Sequence, residues 1–264
     1  TTTGLQVLQN GAHTDWVLDT GFSPDNSHVT SVSRDMTAKL TEVSTQRFID
    51  NITSITPGAL KGGIQAVAVL PNRDEIVVGG SDGVLKIYRL YRKTARKIGD
   101  DDNKLREFPA MRGRIFGVAT SPDGFRFAAS SALDGTGQVL ILRFDPAQLP
   151  ENVGLMLAQS FTERSSAEKD AIENYFKTAV LTEAKVEVNA NVYAVAFRPD
   201  GNIVAAAGSD GIVRLIDANN GQLTKEFSPA PLRRTSRTLV RPLATNGQPT
   251  VDKTEAESLP SGAQ

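Results

Sequence analysis

Between Asn191 and Phe227 the chain reads NVYAVAFRPDGNIVAAAGSDGIVRLIDANNGQLTKEF, short apolar runs separated by turn-forming residues. Val192 to Phe197 is one apolar run, Pro199-Asp200-Gly201 a turn, and Ile203 to Ala207 a second run. Ser209-Asp210-Gly211 then leads into Ile212 to Ile216, and Asn219-Asn220-Gly221 into Gln222 to Phe227. Glycine after Asp or Asn supplies the positive φ that tight hairpins need, so the pattern predicts a four-stranded antiparallel meander. Val192, Ala194 and Ala196 alternate with Tyr193, Val195 and Phe197, which makes both faces of the sheet apolar. Such a sheet is expected to lie between two others.

The same pattern recurs upstream, from His13 to Val43, from Ile64 to Leu90 and from Ile115 to Phe144. The interval from the turn proline to the later turn aspartate runs Pro24 to Asp35, Pro71 to Asp82, Pro122 to Asp134 and Pro199 to Asp210, or 11, 11, 12 and 11 residues. Successive prolines are 47, 51 and 77 residues apart, so an almost invariant inner hairpin is separated by connections of growing length. Repeats are placed at about 13–50, 64–110, 114–188 and 191–227. Gly4 to Gln9 is similar to the closing segment Gly221 to Phe227, as if a further repeat ended there.

These Ser-Asp-Gly turns, with Phe-Ser-Pro-Asp, Ser-Pro-Asp-Gly and Arg-Pro-Asp-Gly, resemble the WD40 family of β-propellers over residues 4 to 227. The resemblance implies an all-β, WD40-like propeller of four four-stranded antiparallel blades, belonging to a ring of about seven whose missing blades are N-terminal. It also implies a structural network of a turn Asp, a His before the first strand, a Ser or Thr on the second and a Trp on the third. Asp35, Asp82, Asp134 and Asp210 match the Asp as turn caps, and only His13 matches the His. Thr41, Tyr88 and Ile216 stand where Trp is expected, and Asp217 alone keeps the Asp of the name-giving pair, so the network is expected to be incomplete in every blade. In that family partners often dock on the face formed by the loops before the first strand and between the second and third. Here that face carries Asp15, Trp16, Arg34, Arg114, Asn191 and Tyr193. Trp16 either packs between blades or anchors a partner.

Two connections are longer than blades require. Tyr91 to Gly113 alternates a basic run (Arg92, Lys93, Arg96, Lys97) with Asp100-Asp101-Asp102 and then Lys104 and Arg106, which reads as a solvated loop or edge strand. Within Asp145 to Asn189, Ser165-Ser166-Ala167-Glu168 is a capping box, and Ala171, Ile172, Tyr175, Phe176, Ala179 and Val180 follow at helical spacing. One inserted helix is predicted over about 166 to 181. Both insertions are similar to those in propellers of large exported bacterial proteins that also carry haem c and Ig-like domains, a likeness that implies a periplasmic or cell-envelope location. No Cys-x-x-Cys-His lies in this chain. Beyond Phe227 the periodicity stops, and 228–264 reads as a polar linker or disordered tail.

Composition narrows the chemistry. The 264 residues have a net charge of −1 and no cysteine, so there is no global field for nucleic acid and no disulfide or thiolate site. No apolar run approaches the ~18 residues of a membrane span. No phosphate-cradling Gly-x-x-x-x-Gly-Lys and no His-Glu-x-x-His motif is present. His13 and His28 are the two histidines, and His13 reads as structural. Asn51-Ile52-Thr53 has the pattern of a glycosylation sequon, and Arg233-Arg234-Thr235-Ser236-Arg237 is a basic patch in the tail. The expected function is a non-catalytic scaffold that binds protein, with no metal or cofactor. Two alternatives are an accessory module of a larger exported redox or hydrolytic enzyme, and ligand or glycan binding through Trp16, Tyr193 and Arg114.

Overall fold

The computed structural model describes residues 6, 9, 11–56, 61–96, 101–159, 163–178 and 182–229, all within the compact unit Thr1–Ala230. The basic patch at 233–237, the rest of 230–264 and most of 4–9 lie outside the described residues.

Among the described residues sixteen strands form four antiparallel sheets of four. Blade 1 holds β1 (Val17–Phe22), β2 (His28–Ser33), β3 (Ala38–Glu42) and β4 (Phe48–Asn51). Blade 2 holds β5 (Ile64–Val69), β6 (Glu75–Gly80), β7 (Lys86–Arg89) and β8 (Lys104–Glu107). Blade 3 holds β9 (Arg114–Thr120), β10 (Arg126–Leu133), β11 (Thr136–Arg143) and β12 (Thr182–Val188). Blade 4 holds β13 (Val192–Phe197), β14 (Ile203–Gly208), β15 (Val213–Asp217) and β16 (Leu223–Phe227). Each is a meander in chain order, and among the described strands β1 pairs with β2 alone. No described strand of blade 4 joins blade 1.

Cross-strand register shows how the blades stack. In blade 2, Ile76 lies opposite Tyr88 on the face toward blade 1, and Val77 opposite Ile87 on the face toward blade 3. One apolar cluster joins Val32, Ala38 and Leu40 to Ile64, Ile76 and Tyr88. A second joins Val77, Leu85 and Ile87 to Ile115, Phe127 and Leu140, and a third joins Ala128, Val139 and Ile141 to Val192, Val204 and Ile216. Small residues on one inner strand receive bulky ones from the next. A Cβ at Gly21 would lie 2.9 Å from Val69 Cγ2. Burial of these side chains, worth roughly 1.5–3 kcal/mol each, fixes the order of the blades.

The sandwiching predicted for the 191–227 sheet holds on one side only. Val195 and Phe197 pack toward blade 3, whereas Ala194 and Ala196 are exposed on the opposite face. Ala205 and Leu215 pair on that outer face, in the register that Val77 and Ile87 occupy within blade 2. Blade 1 likewise exposes Phe22 and Phe48.

The described part of the connection after β11 contains two helices instead of one: α1 (Glu151–Ala158) and α2 (Ser166–Thr178), preceded by a 3-10 turn at Pro146–Gln148. The capping box forms, with Ser165 N donating to Glu168 Oε2 at 2.8 Å and Glu168 N to Ser165 Oγ at 3.3 Å. Residues 179–181, the predicted last turn, lie outside the described set. Ile172 and Phe176 dock against Phe144 and Phe108, so α2 covers the outer rim between blades 2 and 3.

The charged connection after Tyr91 is not simply solvated. Arg92 Nε and Arg96 Nη2 donate to Asp50 at 3.0 and 2.7 Å, clamping blade 2 to strand β4 of blade 1. Asp102 is buried and accepts from Thr94 Oγ1 at 2.8 Å, and Lys104 pairs with Asp101 at 3.2 Å. Lys97 and Asp100 lie outside the described residues. The sequon is folded in as well: Asn51 closes β4, Thr53 is buried, and Thr53 Oγ1 accepts from Ala38 N at 3.1 Å.

Candidate interaction face

In three blades the residue before the first strand accepts a backbone hydrogen bond from the turn between the second and third. Arg34 N donates to Trp16 O at 3.0 Å, Ser81 N to Gly63 O at 2.9 Å and Ser209 N to Asn191 O at 2.9 Å. In blade 3 the same relation is made by the ladder itself, with Arg114 opposite Ala132. The repeat therefore places Asp15, Trp16, Arg34, Arg114, Asn191 and Tyr193 on one end of the blades.

They form two groups on that end. Asp15 Oδ1 accepts from Trp16 N at 2.8 Å, Asp15 Oδ2 accepts from Arg34 Nε at 3.0 Å, and the Arg34 guanidinium sits 5.1 Å from the Trp16 ring centre. The Trp16 amide and the Arg34 guanidinium hold the Asp15 carboxyl below its ordinary value. Trp16 is 70% exposed, so it does not pack between the described blades. The second group is Asn191 and Tyr193, joined by a 3.2 Å hydrogen bond, with Tyr193 edge-on to Phe116 at 5.4 Å. Asn191 Oδ1 also accepts from Gly135 N at 3.1 Å, and Arg114 is exposed beside this group. Blade 2 presents Gly62-Gly63 between the two groups, and a Cβ at Gly63 would lie 2.9 Å from Arg34 Cα.

Two further residues on this end are not apparent from motif reading, Met36 and Leu133, both exposed. Met36 has φ of +70° at the turn position that Gly83, Gly135 and Gly211 fill in the other blades. Its signal is visible in the sequence as Ser33-Arg34-Asp35-Met36 against Ser-Asp-Gly. An L-residue in the left-handed region costs about 1–2 kcal/mol, and glycine loses about 0.5–1 kcal/mol in entropy. Met36→Gly is therefore expected to raise stability by about 0.5 kcal/mol in urea titration while removing an apolar group from the face.

The turn aspartates do not share one role. Asp35 accepts from Thr37 N at 2.9 Å, Asp82 from Val84 N at 3.1 Å and Asp210 from Ile212 N at 3.1 Å. Asp82 also pairs with Lys86, and Asp210 with Arg214 at 2.5 Å. Asp134 departs from this pattern. It has φ of +50° and Gly135 +82°, which make a two-residue hairpin turn between Leu133 and Thr136. The interval of 12 residues accompanies this longer hairpin. Blade 1 contains more of the expected network than its sequence implies: His13 Nδ1 lies 2.9 Å from Asp35 Oδ2, and His13 Nε2 lies 2.8 Å from Ser31 Oγ. Thr41 replaces the fourth member.

A family profile described as "WD domain, G-beta repeat" matches residues 5–41, and one described as "Anaphase-promoting complex subunit 4 WD40 domain" matches residues 174–236. Both profiles describe WD40-type blades. The first matched stretch contains β1, β2 and all but the last residue of β3, and the second contains β12 and all of the fourth blade. The chain is also 25% identical over 149 residues to "Eukaryotic translation initiation factor 3 subunit I" of Mycosarcoma maydis, a match covering 54% of this chain and 40% of that relative. Haem c and Ig-like domains find no support in these matches. Among the described residues no group of three or more His, Cys, Asp and Glu is arranged to hold a metal, and no helix is long and apolar enough to cross a membrane.

Proposed function

We propose that these blades form a non-catalytic scaffold that binds a protein partner through the end carrying Asp15, Trp16, Arg34, Arg114, Asn191 and Tyr193. The observation that carries this reading is Trp16, a large aromatic side chain held by Arg34 and Asp15 yet mostly exposed. Aromatic and Arg side chains dominate binding energy at protein interfaces, and a stiff frame presents them with little ordering cost. WD40 repeats commonly mediate protein association, and the Mycosarcoma maydis relative is named as a subunit.

Trp16→Ala is expected to leave unfolding within about 0.5 kcal/mol of wild type, because the side chain is exposed. Partner binding should weaken by about 2 kcal/mol or more, roughly thirtyfold. Quantitative affinity capture with the wild type, Trp16→Ala and Arg34→Glu reads this directly. Equal recovery of every bound protein by all three would refute the assignment.

The outer faces of blades 1 and 4 support a second part of the reading, that further blades of the same kind pack against them. Phe22, Val29 and Phe48 on blade 1 meet no described blade, and neither do Ala205, Ala207 and Leu215 on blade 4. Inside the chain the same register is buried at each junction. Light scattering tests this: the isolated chain should self-associate at micromolar concentration, and Phe22→Glu with Phe48→Glu should suppress it. A monodisperse wild-type monomer unaffected by the double substitution is the contrary result.

A further inference from the structure

We propose that the groove between strand β8 and helix α2 takes an extended acidic and apolar peptide segment as a fifth strand of blade 2. The groove encloses about 420 Å³, within the range of about 300–1,000 Å³ typical of ligand sites. One wall is β8, which among the described strands pairs with β7 alone. Phe108 N donates to Leu85 O at 2.9 Å, so by the alternation of an antiparallel ladder Glu107 directs its amide and carbonyl away from β7. An unpaired strand edge is a template for another strand, and backbone pairing of this kind supplies affinity while neighbouring pockets supply selectivity.

The groove's surface defines what that strand must be. Ile172 and Phe176 of α2, packed with Phe108, give it an apolar floor. Four cations, Lys104, Arg106, Arg164 and Lys169, line it against two carboxylates, Glu107 and Glu173. Arg106 is only 4% exposed, its guanidinium carbon 4.3, 5.1 and 4.2 Å from the ring centres of Phe108, Phe144 and Phe176. Burial pulls its pKa down to about 10, which leaves it charged at neutral pH in a medium that screens poorly. Arg164 is anchored by donating to Leu157 O at 3.2 Å and Gln159 O at 2.8 Å, at the end of α1. Positive charge is thus fixed around an apolar slot beside a free strand edge. An extended chain alternating carboxylates with Val or Phe meets all three features at once.

Fluorescence anisotropy with labelled Glu-Val-Glu-Phe-Glu-Val-Glu on the full chain tests the proposal. The same peptide with Lys for every Glu should bind at least about tenfold more weakly, a difference of roughly 1.4 kcal/mol. Lys169→Glu should weaken binding about fivefold. Glu107→Pro removes the outward amide and should weaken it by about tenfold, whereas Glu107→Ala, which keeps that amide and removes a carboxylate, should bind as well as or better than wild type. Two peptides N-methylated at alternate residues test backbone pairing without altering the protein, so the outcome does not depend on Glu107→Pro folding. One of the two should lose binding. Equal binding of acidic and basic peptides, or of both N-methylated peptides and the parent, overturns the proposal.

Discussion

Gly79→Val is expected to destabilise the chain by about 3 kcal/mol, the upper part of the range for overpacking a closed interior. A Cβ at Gly79 would lie 2.5 Å from Ile115 Cγ2 and 3.0 Å from Ile115 Cβ, and Ile115 is fully buried at the junction of blades 2 and 3. The neighbours cannot yield cheaply, because Val77, Leu85, Ile87 and Phe127 fill the same cluster. Urea unfolding of Gly79→Val, Ile115→Ala and the double variant reads the effect as a cycle. Ile115→Ala alone should cost about 2–5 kcal/mol, and the double variant should cost at least about 1 kcal/mol less than the sum. Additive costs would show that the glycine matters for backbone reasons and not as the socket for Ile115. The same socket logic recurs at Gly21, so this result bears on how every blade is seated.

The blades were legible in the sequence because each hairpin states its own register. A turn of Pro-Asp-Gly or Ser-Asp-Gly fixes the loop, and alternation on either side fixes which residues share a face. Alternation does not say whether a face is covered. Val195 and Ala196 look equivalent in the sequence, yet one packs on blade 3 and the other is exposed. Helix α2 was readable from its capping box and its stripe. Helix α1 was not, since it starts after Pro150 with no side-chain cap and holds Gly154 within eight residues. That Asp15, Trp16, Arg34, Arg114, Asn191 and Tyr193 share one end of the blades followed from the repeat, but their division into two groups depends on Gly62-Gly63, which lies outside the repeated motifs. Asp134 resembled its three counterparts in motif and differed by one residue in spacing, and that extra residue accompanies its different turn. The Asp50 clamp joins side chains more than 40 positions apart, a relation that no local pattern encodes.

The largest single electrostatic effect is expected at Asp35. Its carboxylate accepts from Thr14 N, Thr37 N and Thr37 Oγ1 at 2.9, 2.9 and 2.6 Å, and His13 Nδ1 lies 2.9 Å away. Removing it strands several partly buried donors, so Asp35→Ala should cost about 3 kcal/mol. Asp210→Ala should cost about 1 kcal/mol, because there the carboxylate serves one turn amide and one Arg. Burial pushes the Asp35 pKa up, but the hydrogen bonds from Thr37, Thr14 and His13 more than reverse it, leaving it well below the carboxylate range. A depressed folded pKa stabilises the fold fully above the unfolded value of about 3.9, and that contribution is lost as pH falls through the folded value. The stability gap between wild type and Asp35→Asn should therefore be constant above about pH 5 and shrink below about pH 4. Urea midpoints measured from pH 7 down to pH 3 give the curve. A gap that stays constant to the acid end would mean that Asp35 acts through turn geometry alone, and that the His13 network adds no charge-dependent stability to blade 1.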